Sequence, residues 1–258
     1  MKNNILGASI YSHKCRKLLL FIIIVMVSML MTPASFSSTQ IVDKSYTTSI
    51  NGLWLKPSFN SIENTTVRKE VFFNFLLPAI KEKNVEITKL RELIINDKLN
   101  AIELEELAIK YRLNLPTTKE EILIAIDVLP PSLVLAQAAN ESNWGRSRFA
   151  EDFNNYFGIW CFVKDCGIVP TKRDMNAKHE VATFGSLKDC IDYYVLTLNR
   201  NYAYQNLRAI RKSQRDNLSP VTGVALAEGL KAYAEIGAEY VNVIQAVIRF
   251  NNLERYDM

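Results

Sequence analysis

The stretch from Leu133 to Cys161, LVLAQAANESNWGRSRFAEDFNNYFGIWC, constrains this 258-residue chain more than any other. It opens as an apolar helix, carries a carboxylate, Glu141, at its far end, and breaks into a loop crowded with asparagines and aromatic rings. Pro130 and Pro131 stand where a first helical turn tolerates proline, because the N–H that proline lacks has no intrahelical partner there. Val134, Ala138 and Glu141 fall at i, i+4 and i+7, so Glu141 shares the face that docks the helix into a core. A carboxyl on such a face is desolvated, which favours its protonated form and suits it to general-acid work. The bland alternative is a solvated glutamate at a helix end, the commoner case for this residue type.

Trp144 and Gly145 stop the helix, with glycine free to take the positive φ of a C-terminal cap. Beyond them Phe153, Asn154, Asn155, Tyr156, Phe157, Gly158, Ile159 and Trp160 set amides among rings. Stacking faces combined with paired hydrogen bonds are how a site grips sugars. A loop with only a structural duty would have little use for two adjacent asparagines between aromatics.

The rest of the chain reads mainly as scaffold. Val67, Val71, Phe72, Phe75 and Leu76 recur at helical spacing, and Pro78 is expected to kink or end that helix. A second helix is expected from about Val85 to Leu99 and a third over Ile102 to Tyr111. Thr118 with Glu121 signals the capped start of a fourth. Upstream, residues 36–62 are rich in Ser, Thr and Asn and are expected to be a flexible lead-in that docks through Leu53, Trp54 and Leu55. Downstream, Ile168 to Pro170 and Glu180 to Phe184 are expected as two edge strands. Ser186 caps a helix that buries Ile191, Tyr194 and the thiol of Cys190, and a last helix runs from Tyr240 to Phe250. Arg208, Arg211, Lys212 and Arg215 read as an exposed helix face.

Composition matters at the N-terminus. Lys14, Arg16 and Lys17 precede the run Leu18 to Met31, 14 residues with Ser28 as the one polar member, and Ala34 and Ser35 supply a small-residue exit. This fits a secretory signal over residues 1–35 better than a membrane span, which needs about 18 apolar residues or more. An uncleaved anchor is the alternative, and either delivers the remainder across the inner membrane, for release into the periplasm or attachment facing it. The four basic residues of that segment account for the whole formal charge of +4, leaving 27 basic against 27 acidic side chains. A neutral domain makes no electrostatic case for nucleic acid. Cys161 and Cys166 enclose a short polar loop and are expected to form a disulfide in an oxidising compartment. A metal site is the weaker rival, since no second cysteine pair exists and His13 and His179 are the only histidines.

Together Ala136-Gln137-Ala138, Glu141-Ser142-Asn143-Trp144-Gly145, Ser147-Arg148-Phe149-Ala150 and Asn154-Asn155-Tyr156-Phe157-Gly158-Ile159 resemble the signature of the bacterial glucosaminidase domain, glycoside hydrolase family 73, over about Pro130 to Asn252. The helices from Val67 to Asp127 resemble the leader of its Bax-like exported subgroup. The resemblance implies a mostly α, lysozyme-like fold, with a helical lobe, a small β-hairpin lobe and a cleft between them. It implies hydrolysis, without a cofactor or metal, of the β-1,4 bond between N-acetylglucosamine and N-acetylmuramic acid in peptidoglycan, with Glu141 protonating the leaving oxygen. Tyr233 and Tyr240 match two tyrosine positions of the family. Tyr233 is thereby expected opposite Glu141 as an auxiliary, although Ala232 replaces a glycine and Glu235-Ile236 replace a Thr-Asp pair in its loop.

The expected site is therefore Glu141 and Tyr233 for catalysis, with Trp144, Asn154, Asn155, Phe157 and Tyr240 shaping the sugar cleft. Glu180 is the candidate second carboxylate, beside Asp165 and Asp174, unless the substrate's own acetamido group assists. A lytic transglycosylase and a non-catalytic wall-binding module are the alternatives. The expected organisation is signal 1–35, lead-in 36–62, helical region 63–128 and catalytic domain 129–258, acting as a monomer on glycan strands.

Overall fold

The computed structural model describes residues 49–50, 53–170, 178–234 and 237–257. The expected signal, Asp174 and the pair Glu235-Ile236 lie outside them. Two short strands, β1 (Ser49–Ile50) and β2 (Leu53–Trp54), pair antiparallel before the helical body.

The first helix, α1 (Thr65–Ile95), starts on an Asn64 cap and runs for 31 residues straight through Pro78. Two helices divided near the proline were expected. An interior proline costs about 3 kcal/mol or more. Beyond it, Ile80, Ile87 and Ile94 are all buried, and each contributes about 1.5–3 kcal/mol. Pro78 and Asn74, whose carbonyl loses its partner, are exposed to water. Packing therefore outweighs the break. Two shorter helices follow, α2 (Ala101–Lys110) and α3 (Lys119–Ala125). Each opens with a complete capping box, Asn100 with Glu103 and Thr118 with Glu121.

At the centre is α4 (Pro131–Glu141), in which every residue from Pro131 to Ala139 is buried. A helix apolar all round must be enclosed on all sides. It packs against α1, α8 (Gly223–Ala227) and α9 (Ala238–Phe250). Gly223 permits a close approach: a Cβ there would meet Ser132 Oγ at 2.1 Å and Leu133 N at 2.7 Å. Asp257 accepts from Ser132 N at 2.8 Å and from Ser132 Oγ at 2.6 Å, so the C-terminal residues close the start of the central helix.

Between α5 (Arg148–Phe153) and α6 (Leu187–Arg200) lies a three-stranded antiparallel sheet of β3 (Trp160–Cys161), β4 (Gly167–Ile168) and β5 (Glu180–Ala182). Its order is β3-β5-β4. Glu180–Ala182 is thus the central strand rather than an edge, because Trp160 and Cys161 pair with Val181 and Glu180 on its second side. Cys161 and Cys166 form a disulfide with Cα atoms 6.2 Å apart, which removes both sulfurs as metal ligands. Helix, helix and small sheet make the fold mostly α with a minor β element, as expected.

Two expectations are corrected here. The end of the lead-in is built into the body: Phe59 and Ile62 are buried, and Phe59 meets Phe72 and Phe75 edge-on. Leu55, expected to dock, is half exposed, while Lys56 donates to the carbonyl of Ala150 and to Asn154 Oδ1. In α7 (Gln205–Asp216), Arg211 is buried rather than solvated. Its guanidinium donates to the carbonyls of Ile124, Ala125, Asp127 and Val128 and to Asn199 Oδ1. Those of Ile124 and Ala125 end α3 and carry the negative pole of its dipole, and with the others they satisfy the buried cation. Burial still pushes Arg211 down to about 10, against the opposing charge of Asp127. Arg215 grips Asp127 through two nitrogens.

Candidate active site

Glu141 is the last residue of α4, and the chain turns away from it at once. Asn143, Trp144 and Gly145 are all left-handed, with φ of 51°, 59° and 78°. Side chains at such angles cost on the order of 1 kcal/mol each, so the surroundings must hold the turn. Ser142 helps by donating to Ala138 O at 2.6 Å and accepting from Gly145 N at 2.8 Å. At Gly145 a Cβ would lie 2.3 Å from the ring of Phe59, so glycine is required by space as well as by angle. The turn leaves Glu141 partly buried at the end of the helix.

A directed chain of hydrogen bonds ends on this carboxylate. Tyr194 donates to Gln137 Oε1, Gln137 Nε2 donates to Tyr240 Oη at 2.9 Å, and Tyr240 donates to Glu141 Oε1 at 2.7 Å. Asn140 Nδ2 adds a second donor to Oε1 at 3.0 Å. Gln137 lies one turn before Glu141 and is fully buried, so its amide orientation is set by the two phenols it bridges. Burial, and next the charge of Glu141, raises the pKa of Tyr240 far above that of an ordinary phenol; burial also raises Tyr194 well above it. Both stay protonated and the chain keeps one direction. Oε2 has no partner among the described residues and turns toward Gly158, where a Cβ would stand 3.7 Å away.

Aromatic rings surround the chain. Tyr233 lies parallel to Tyr240 with centroids 5.3 Å apart and donates to Phe157 O at 2.9 Å. Tyr204 approaches Tyr233, with ring centroids 6.1 Å apart. Phe157 stacks on Tyr194 at 3.9 Å. A carboxylate held by donors on one oxygen, with the other oxygen open, can deliver or collect a proton at that second oxygen.

Residues 118–253, more than half of the chain, match the glucosaminidase family, described as mannosyl-glycoprotein endo-beta-N-acetylglucosaminidase. The chain belongs to this family. It is similar to protein bax of Escherichia coli (strain K12), 29% identical over 207 residues that cover 76% of this chain and 74% of that protein. Among solved structures, the catalytic domain of the autolysin Auto from Listeria monocytogenes aligns with 78% of this chain and 93% of that domain, at 20% identity and a TM-score of 0.44. This glucosaminidase domain is a glycoside hydrolase of the Bax-like kind, and its family implies action on peptidoglycan.

Within the glucosaminidase domain, several residues expected in a sugar cleft are spent on architecture. Asn155 is buried. Its amide accepts from Phe157 N and Ile159 N and donates to the carbonyls of Ile159 and Ala182, lashing the loop to β5. Asn154 is the left-handed cap of α5; its Nδ2 donates to Phe184 O and its Oδ1 accepts from Lys56. The adjacent asparagines thus meet the backbone needs of a tight loop. Trp144 packs edge-on against Phe72 and Phe73, beneath Lys69 Nζ at 4.5 Å. The ring of Phe157 is buried, and it is the carbonyl that faces Tyr233.

The two tyrosines also exchange places. Tyr240, expected merely to shape the cleft, contacts Glu141, whereas the hydroxyl of Tyr233 is committed to Phe157. Glu180 is buried, with its carboxylate accepting from Asp165 N at 3.1 Å and Gly167 N at 2.9 Å beside the disulfide. It braces the hairpin.

Gln137 and Tyr194 were missed as site residues. Gln137 did carry a signal, being a lone polar side chain between alanines one turn before Glu141. Trp160 lies outside the residues expected to shape the cleft. It is half exposed, two residues from Gly158, and stacked on His179 at 3.9 Å.

Proposed function

We propose that this glucosaminidase domain cleaves the β-1,4 bond between N-acetylglucosamine and N-acetylmuramic acid in peptidoglycan, with Glu141 as the general acid. The observation that carries the reading is the one-way chain from Tyr194 through Gln137 and Tyr240 to Glu141 Oε1. It occupies one carboxylate oxygen with donors and leaves Oε2 to carry the proton toward a glycosidic oxygen. As the bond breaks, positive charge develops at the anomeric carbon, and the electron-rich tyrosine wall with the carboxylate stabilises it. Tyr240 acts as a positioning residue for Glu141 and Tyr233 as its packing support.

Glu180 is engaged with two backbone amides, which favours assistance by the substrate's 2-acetamido oxygen over attack by Glu180. The same observation favours one alternative, a lytic transglycosylase, in which a single carboxyl group suffices because the sugar's own hydroxyl closes the ring. Export to the periplasm belongs to the proposal, supported by the Cys161–Cys166 disulfide, which persists in oxidising compartments. Mass spectrometry of fragments released from purified sacculi separates the readings. Reducing N-acetylglucosamine ends are expected; anhydro-muramyl ends would establish the transglycosylase, and the absence of fragments a binding module.

A further inference from the structure

A cavity of about 250 Å³ opens between the end of α2 and the junction of α6 with α7, lined by Tyr111, Arg112, Arg200, Tyr202 and Arg208 among others. Three lining side chains are guanidiniums and none is acidic. Among the described residues no carboxylate pairs with Arg112, Arg200 or Arg208. The neighbouring cavity beside Asp127 is the contrast, for there Arg91, Arg211 and Arg215 all face one buried carboxylate. Arg208 directs one nitrogen to the carbonyls of Leu198 and Asn201, 2.9 Å from each, and burial lowers its pKa with no opposing charge. The ring of Tyr202 is 78% exposed at the rim.

Guanidinium groups that line one cavity without a carboxylate partner among the described residues, exposed Arg112 beside the partly buried Arg200 and Arg208, suit a planar oxyanion, since the fork of arginine matches a carboxylate through two parallel hydrogen bonds. The volume is below the usual range for drug-sized ligands and holds an amino-acid-sized group rather than a disaccharide. A chain of side-chain contacts runs from the rim of the cavity to Glu141. Tyr202 and Tyr204 are the two ends of a single 3-10 turn (Tyr202–Tyr204). Tyr204 is buried beside Tyr233, which lies against Tyr240 and so against the carboxylate.

We propose that Arg112, Arg200 and Arg208 form a binding site for a carboxylate of the peptide carried on the glycan substrate, one helical turn from the tyrosine wall. The assignment rests on the reading of this domain as a peptidoglycan hydrolase. Arg112→Gln and Arg200→Gln are the test variants, because among the described residues neither side chain makes a hydrogen bond, whereas Arg208 does. For cleavage of peptide-bearing glycan, the double variant is expected to raise KM about tenfold with kcat unchanged, and to leave cleavage of peptide-free glycan untouched. Equal effects on both substrates, or none on either, would overturn the site. Titration of the free peptide into the intact protein, followed by NMR, decides the matter independently of activity. Expected is binding that weakens with added salt and is lost in the double variant. Binding of inorganic phosphate without binding of the peptide would overturn the assignment, and failure of the wild-type protein to cleave either glycan would count against the hydrolase reading alone.

Discussion

The phenol of Tyr240 donates to Oε1 of Glu141 across 2.7 Å, joining residues 99 apart in sequence and orienting the carboxylate from the buried side. Tyr240→Phe removes this donor and leaves Gln137 Nε2 without its acceptor. Turnover is expected to fall about 10- to 100-fold, with KM little changed and stability lower by about 1–2 kcal/mol. Steady-state kinetics with thermal denaturation checks both; an unaltered kcat would remove Tyr240 from the positioning role.

Glu141→Gln keeps the shape of the side chain and abolishes its proton. Loss of cleavage by a factor of about 10² to 10⁴ or more is expected, with circular dichroism and Tm close to wild type. Full retained activity on sacculi would refute the assignment of the acid.

Asn155→Ala separates an architectural amide from a sugar-binding one. Four backbone groups lose partners in a buried loop. A loss of about 2–4 kcal/mol in unfolding free energy by urea denaturation is expected. A stable variant with raised KM alone would restore the sugar-contact role.

Gly145→Ala places a methyl group against Phe59 at a φ of 78°. Destabilisation of about 1–3 kcal/mol is expected. Because the clash is with one ring, a double-mutant cycle with Phe59→Ala should recover part of the loss; strict additivity would show that the two sites are independent.

Tyr204 is pushed up to about 12 by burial and, secondarily, by the charge of Glu141, and Tyr233 is raised in the same direction. An acid whose pKa is higher in the folded state holds its proton there after the unfolded chain has lost it. Its contribution to stability is therefore complete below the ordinary phenol value near 10 and is lost as pH rises through about 12. Spectrophotometric titration should show these phenols ionising together with unfolding. Their gradual ionisation in a folded protein would contradict the buried wall.

Local signals were legible where the interaction spans one or two helical turns. The Thr118–Glu121 box and the proline-led helix with its Gly145 stop follow from backbone rules that act within a few residues. The disulfide is likewise a five-residue separation. The passage of α1 through Pro78 was not legible, since it depends on Ile80, Ile87 and Ile94 finding a core. Nor was the burial of Arg211, whose carbonyl acceptors lie 83 to 87 positions away in sequence.

The site divides in the same way. By itself the sequence determined that Glu141 stands at the end of an apolar helix, that a tight aromatic loop follows, and that the family is a glucosaminidase, because helical period, turn chemistry and motif are all local properties. Only the tertiary structure decided that Tyr240 rather than Tyr233 reaches Glu141, that Asn155 serves the backbone, and that Glu180 braces the hairpin. Those outcomes depend on which donor and acceptor are brought together once the surrounding core has closed, and hydrogen-bond partners at long range are chosen by packing.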